Sequence, residues 1–217
     1  MQAMLNLFES YLLPIVHPFR IHRHFHMNQP LPGREGEQVQ ALNLSEALMF
    51  SWIFAVLKGL MRIVLINVVI QSFISFQSEN FPFFEMVAQE AGLTTYYFLL
   101  FSAMLDIVFF PILTMVMTEF WNWVIRIFAG LMKFEGDREE VAHQITVTAL
   151  SSYVFFLVPL IGEIIQSFMY YMMLYAGLRE NLRASRSLAF VILITPVILL
   201  MMFLSLAALV LFCLFAL

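Results

Sequence analysis

The segment Val158-Pro159-Leu160-Ile161-Gly162-Glu163 lies in the middle of a long apolar stretch that runs from residue 145 to residue 178. Proline lacks a backbone donor and glycine relaxes the dihedral constraint, so Pro159 and Gly162 predict a reversal of the chain just before Glu163. A bilayer crossing needs about 20 apolar residues, and this stretch is longer than one upright crossing. The reversal decides the fold, because it determines on which side of the membrane the later segments of the chain lie.

The composition is that of an integral membrane protein. Apolar residues make up 62% of the 217 residues and charged residues only 12%, whereas soluble domains are roughly half apolar and a quarter charged. Four long apolar stretches cover residues 44–76, 96–132, 145–178 and 188–217. The single cysteine, Cys213, has no second cysteine to pair with. We expect the lipid bilayer as the surrounding medium, no nucleic-acid partner and no cofactor.

The connecting segments predict the topology, because short cytoplasmic loops collect Lys and Arg. The links after the second and third stretches carry cations, and the last of them is the positive link Arg179, Arg183 and Arg186. Residues 77–95 carry no cation and three Glu. With the basic links inside and the acidic loop outside, the third stretch must enter and leave on the same side, as a hairpin.

The sequence therefore predicts an all-α, polytopic membrane protein with five transmembrane helices. The N-terminus is cytoplasmic and the C-terminus lies outside. The predicted crossings cover residues 44–76, 95–118, 138–159, 162–183 and 187–217. Asp137 with Glu140, and Asn43 with Glu46, have the spacing of N-terminal capping pairs for two of these helices.

The second apolar stretch is also long, and polar residues interrupt its latter half. We interpret residues 118–133 as an interfacial extension, with Trp121 and Trp123 at headgroup level. The alternative is a second hairpin, which gives six crossings. It moves the link around Arg183 to the outside, so we disfavour it.

Residues 1–43 are predicted to form a cytoplasmic, interfacial N-terminal segment, and residues 44–217 the transmembrane domain. Apolar residues recur there at helical spacing, which suits a short helix in the headgroup layer: Leu5, Phe8, Leu12 and Ile15. Alternate residues share a face only on a strand, so a metal site at His22, His24 and His26, with His17 as fourth ligand, requires strand geometry. We expect no metal and favour a basic patch against anionic lipid.

Charged residues inside the apolar stretches are candidates for function, because a charge in hydrocarbon is expensive. Lys58 and Arg62 lie four residues apart and share a helix face, and Asp106 lies near the middle of the second helix. We predict an interhelical charge cluster of these three residues. The alternative is that both cations snorkel to the cytoplasmic headgroups. Glu163 is expected near the outer surface, where it is hydrated.

Several short motifs resemble the Yip domain family, polytopic proteins whose eukaryotic members interact with Rab GTPases. They are the polar link with Gly136, the Pro159-x-x-Gly162 reversal and the exit Gly177-Leu-Arg before the last helix. Pro14 and Pro18 with Phe19 resemble the proline-aromatic start of the family. The resemblance covers residues 10–217 and implies a five-helix topology.

The resemblance implies a non-enzymatic role in association with other membrane proteins, in membrane organisation or trafficking. Eukaryotic members have a longer polar region before the helices, so we expect a prokaryotic-type member in a bacterial inner membrane, with a eukaryotic endomembrane as the alternative. The expected partner is another membrane protein or a second copy, and a Rab-like GTPase only in a eukaryotic host. The alternative function is a small transporter or permease-like subunit that uses the Lys58, Arg62 and Asp106 cluster.

Overall fold

A computed structural model describes residues 2–27, 41–80 and 85–216, and every regular element in these ranges is a helix. The elements are α1 (Gln2–Val16), α2 (Pro18–Met27), α3 (Leu44–Asn80), α4 (Glu85–Leu131), α5 (Arg138–Ala149), a 3₁₀-helix (Leu150–Leu157), α6 (Gly162–Glu180) and α7 (Arg186–Ala216). The predicted all-α class is confirmed.

Three of the described helices are long and apolar enough to cross a membrane. The segments are Leu44–Val69 of α3, Tyr96–Leu131 of α4 and Arg186–Leu209 of α7. They correspond to the first, second and last predicted crossings. Helices α3 and α4 also extend into the predicted acidic loop of residues 77–95, since α3 ends at Asn80 and α4 begins at Glu85. Residues 81–84 lie outside the described residues.

Helix α4 differs from the prediction in its second half. It continues without a break to Leu131, so the second hairpin of the six-crossing alternative is absent from it. Trp121 is 2% exposed and packs edge-on against Tyr171, so its ring contacts other side chains of the protein. This large apolar ring belongs to the core that α4 shares with the hairpin.

The two remaining predicted crossings, 138–159 and 162–183, correspond to the arms of a hairpin. One arm consists of α5 and the 3₁₀-helix, and the other is α6. The chain reverses between them at Val158–Ile161, where Leu160 adopts a left-handed conformation with φ of 66°. Asp137 caps α5, because its Oδ1 accepts from the amides of Glu139 and Glu140 at 2.9 and 3.3 Å.

The base of the hairpin packs into a core with the end of α4 and the start of α7. Buried members include Ile125, Ile145, Leu174, Leu178 and Ile192. The arms approach closely at Gly177, where a Cβ atom would lie 2.7 Å from Ile145 Cγ2 and 3.0 Å from His22 Cε1. Only glycine therefore allows α5, α6 and α2 to meet at this distance.

The N-terminal helix α1 packs into a second core with α3 and the 3₁₀-helix. Tyr11 is fully buried there, between Phe50 and Phe54. Its hydroxyl donates to the Leu150 carbonyl at 2.7 Å and lies 2.9 Å from Ser51 Oγ. Helix α1 is therefore fixed by protein contacts as well as by its apolar surface, which the expectation of a headgroup-layer helix left out.

Candidate functional site

Two cations of α3 lie on one helix face, as expected from their four-residue spacing. Helix α4 runs antiparallel to α3 and presents Asp106 to this face. Arg62 Nη1 lies 2.8 Å from Asp106 Oδ2, which is hydrogen-bonding distance for a charged pair. The structure thus brings together two of the three residues of the predicted cluster.

The third member, Lys58, pairs with a different carboxylate. Lys58 Nζ lies 2.7 Å from Glu163 Oε1, and it also lies over the Phe156 ring, 4.2 Å from the ring centroid. Glu163 occupies the first turn of α6, where the helix dipole favours a negative charge. The sequence placed Glu163 near the outer surface and did not predict this pair; the reversal after Pro159 carries Glu163 to Lys58 on α3.

These two ion pairs lie well inside the apolar part of the structure. At 1.5 Å per residue, Lys58 is about 21 Å along α3 from Leu44 and about 16 Å from Val69. The carboxylates are the more exposed partners, with side-chain exposures of 62% for Asp106 and 65% for Glu163, against 37% for Arg62 and 26% for Lys58. The arrangement is a neutral, four-membered cluster that faces outwards between α3, α4 and the hairpin.

A cavity with both polar and apolar lining residues lies between α4 and the hairpin. Its volume is about 150 Å³, which is room for several water molecules or one small polar group. The polar lining residues are Thr114, Tyr153, Gln166, Ser167, Tyr170 and Tyr171. Gln166 Nε2 donates to Ser152 Oγ at 3.3 Å. Hydroxyl and amide groups of this kind can bind a neutral hydrogen-bonding group.

The positive link lies at the opposite end of α6 from the ion pairs. Arg179 Nη1 donates to the Ala184 carbonyl at 2.6 Å, and Arg183 occupies the turn with φ of 52°. Arg186 begins α7. The three cations therefore share one end of the hairpin, as the topology prediction requires.

The histidine segment is helical, which removes the geometry that metal binding required. His22 and His24 belong to α2, so they point in different directions. No group of three or more possible metal ligands occurs among the described residues. The strand geometry that the disfavoured metal site required is therefore absent from α2, whose Arg23 and His22 contact α6 instead.

The docking of α2 combines an exposed ion pair with a buried imidazole. Arg23 binds Glu180 through two hydrogen bonds of 2.6 and 3.0 Å, and this pairing lowers the pKa of Glu180. His22 is fully buried, and neither ring nitrogen has a hydrogen-bond partner in the described part of the chain. Burial lowers the pKa of His22 to about 4, so the ring is neutral at pH 7.

Sequence reasoning missed the Lys58–Glu163 pair and the contacts of Tyr11. The apolar residues on both sides of Glu163 were a usable signal, since a reversal exposed to water is normally rich in polar residues. Tyr11 gave no comparable signal, because its partners lie 40 and 139 residues away in the sequence.

Comparisons with protein-family models, with curated proteins and with solved structures give no match for this chain.

Proposed function

We propose that this chain is a non-enzymatic integral membrane protein that acts by lateral association with another membrane protein or a second copy, as the resemblance to the Yip domain family suggests. The observation that carries the proposal is the small share of apolar surface that the chain buries by itself. In the most apolar window of α7, 11% of residues are buried, and the corresponding value for α3 is 17%. Most of the surface available for recognition is therefore apolar and helical.

Photocrosslinking tests this proposal directly. A photoreactive phenylalanine analogue at Phe203, which is 67% exposed on α7, should form a reproducible adduct with one protein in native membranes. The same analogue at Ile192, which is fully buried, is the matched control and should crosslink only within the chain. Adducts with lipid alone at Phe203, and also at Phe101 of α4, would remove the association role.

We propose a cytoplasmic N-terminus and an external C-terminus, in the inner membrane of a bacterium. The five predicted crossings give this orientation, and so do three crossings with a hairpin that returns to the inner face. Single cysteines introduced in a Cys213→Ser background test it. Arg183→Cys and Glu85→Cys should react with an impermeant maleimide from opposite faces. Reaction from one face would overturn the orientation. A Rab-like GTPase becomes a candidate partner only in a eukaryotic host.

The second candidate function is that of a small transporter or permease-like subunit. The cluster of Lys58, Arg62, Asp106 and Glu163 favours it, because charged groups deep in an apolar structure often belong to ion or substrate pathways. Charge-dependent flux into reconstituted vesicles that Asp106→Asn abolishes, and that Glu139→Gln at the hairpin base preserves, would support transport. Absence of flux in the unmodified protein would exclude it.

A further inference from the structure

The hairpin tip, defined as residues 157–164, lies level with the middle of the spanning helices. The Lys58–Glu163 pair and the contact between Lys58 and Phe156 fix the tip beside Lys58. Beyond that level, α3 continues as an apolar helix for about 16 Å to Val69. Helix α4 continues for about 15 Å from Asp106 to Tyr96. The hairpin therefore ends at least about half a bilayer thickness short of the far ends of these helices, because α3 continues beyond Val69 to Asn80 and α4 begins at Glu85, before Tyr96.

The side chains of the tip have the chemistry of a lipid-facing surface. Leu160 is 82% exposed, Ile164 72% and Ile161 53%. A reversal of the chain in water normally carries glycine, proline, asparagine, aspartate or serine. Here Val158, Leu160 and Ile161 accompany Pro159, and the adjoining Phe168 is also 68% exposed. Such a concentration of exposed apolar side chains marks a surface that another apolar phase covers.

Three backbone amides of the reversal donate to carbonyls within it, which matters in hydrocarbon because each unpaired polar group there costs several kcal/mol. The amide of Val158 donates to the Phe155 carbonyl at 3.0 Å, and the amide of Gly162 to the Val158 carbonyl at 3.0 Å. The amide of Ile161 donates to the Pro159 carbonyl at 2.8 Å. Pro159 itself has no N–H group. Internal hydrogen bonds therefore satisfy these donors without water.

We infer that the hairpin of residues 138–180 is re-entrant: it enters the bilayer from the cytoplasmic side, reverses at Val158–Ile161 within the hydrocarbon and leaves on the same side. Its tip contacts the acyl chains of the cytoplasmic leaflet. The Lys58–Glu163 pair fastens the tip to α3, and the occupant of its apolar surface is lipid. This inference rests on the orientation given under the proposed function and replaces the two central crossings with one half-deep hairpin.

Depth measurement at the tip tests the inference. In the Cys213→Ser background, Leu160→Cys should resist an impermeant maleimide from both faces of the membrane. A bimane attached to this cysteine should be quenched by phospholipids brominated deep in the acyl chain, and more strongly than a bimane on Arg183→Cys. Ile164→Cys is the second variant and should show the same protection and quenching. Two variants ensure that the conclusion about depth does not depend on the folding of one of them.

Three results would overturn the inference. Labelling of Leu160→Cys from the face that labels Glu85→Cys would establish a full crossing and restore the five-helix topology. Labelling from the face of Arg183→Cys would place the tip in cytoplasmic water. Protection without bromolipid quenching would place the tip against protein. Reaction of Arg183→Cys and Glu85→Cys from one face would instead refute the proposed orientation, whatever Leu160→Cys does.

Discussion

Lys58 Nζ and Glu163 Oε1 lie 2.7 Å apart, and their ion pair joins the middle of α3 to the first turn of α6. We expect a double-mutant cycle with Lys58→Met and Glu163→Gln to give a coupling energy on the order of 1 kcal/mol or more, because the surrounding apolar residues reduce solvent screening. Each single variant should destabilise the protein more than the double variant does, since it leaves one charge unpaired.

The matched control is the pair Arg126–Glu139, which is 3.5 Å long and has a Glu139 side chain that is 81% exposed. Its cycle should give a coupling energy near zero. Unfolding free energies from titration with a denaturing detergent provide both values. Equal coupling in the two cycles would show that the Lys58–Glu163 pair has no special role in holding the tip.

The hydroxyl of Tyr11 is the second point of attachment to the hairpin. Tyr11→Phe removes the hydrogen bonds to Leu150 and Ser51 while it keeps the packing of the ring, so we expect a loss of about 1 to 2 kcal/mol in unfolding free energy. The control is Tyr97→Phe on α4. Tyr97 is 63% exposed, so this substitution should leave the unfolding free energy nearly unchanged. Identical unfolding curves for the two variants would contradict the assigned hydrogen bonds.

Gly162 is required by the backbone of the reversal. A Cβ atom at this position would clash with the Phe155 carbonyl oxygen, which cannot move without disturbing the turn. Gly162→Ala should therefore lower the unfolding free energy by about 1 to 3 kcal/mol. At Gly130 the nearest atom to a new Cβ is Arg138 Nη1 at 3.3 Å, the end of a flexible side chain. Gly130→Ala is therefore the control and should change the unfolding free energy little. Equal losses of unfolding free energy for Gly162→Ala and Gly130→Ala would contradict the close packing at Gly162.

Burial of His22 predicts a pH-dependent stability. Its pKa is about 4 in the folded state and close to 6.5 in the unfolded chain, so the unfolded state binds the proton first as pH falls. Stability should be constant above pH 6.5, fall by about 3 kcal/mol between pH 6.5 and 4, and lose nothing further from this group below pH 4.

The variant His22→Leu should remove the decline between pH 6.5 and pH 4, and His143→Gln should retain it. Glu180 acts at lower pH, because Arg23 lowers its pKa, and the stability it contributes is lost as pH falls through that lowered value. Thermal unfolding measured across the pH range separates the two groups. An unchanged pH profile in His22→Leu would assign the decline to another residue.

A re-entrant hairpin makes the chain wider in one leaflet than in the other. With the proposed orientation and a re-entrant hairpin, the cytoplasmic half would contain α1, both arms of the hairpin, α3, α4 and α7, and the tip would end before the other half. Insertion into one leaflet makes membrane binding sensitive to curvature. Protein reconstituted with its cytoplasmic face outwards should be enriched in small vesicles over large ones, and Leu160→Asn with Ile164→Asn should reduce that preference. An equal distribution would remove this expectation.

Local sequence patterns predicted the features that depend on neighbouring residues. The reversal at Pro159 and Gly162 was one of these, and the cap at Asp137 was another. Asn43 also donates its amide to Glu46 Oε2 at 2.9 Å, as its capping pattern predicted. These features depend on residues that are close together in the chain, so the local sequence is enough to predict them.

Contacts between distant elements were less predictable. The pairing of Arg62 with Asp106 could be expected because both helices are apolar and the charges lie at matching depth. A full crossing predicts Glu163 at the outer surface, whereas the structure pairs it with Lys58, because the length of the two arms does not determine how they pack against α3. The burial of Trp121 was not predicted either, since the hairpin, chiefly through α5, covers a face of α4 that the sequence leaves open.

The contact between Tyr11 and Leu150 also limits the order in which the chain can assemble. A ribosome makes Tyr11 long before Leu150, with both long helices α3 and α4 in between. During synthesis the hydrogen bond from the Tyr11 hydroxyl to the Leu150 carbonyl can therefore form only after the 3₁₀-helix has been made. Docking of α1 in its final position is a late event in biogenesis, although α1 is translated before α3 and α4.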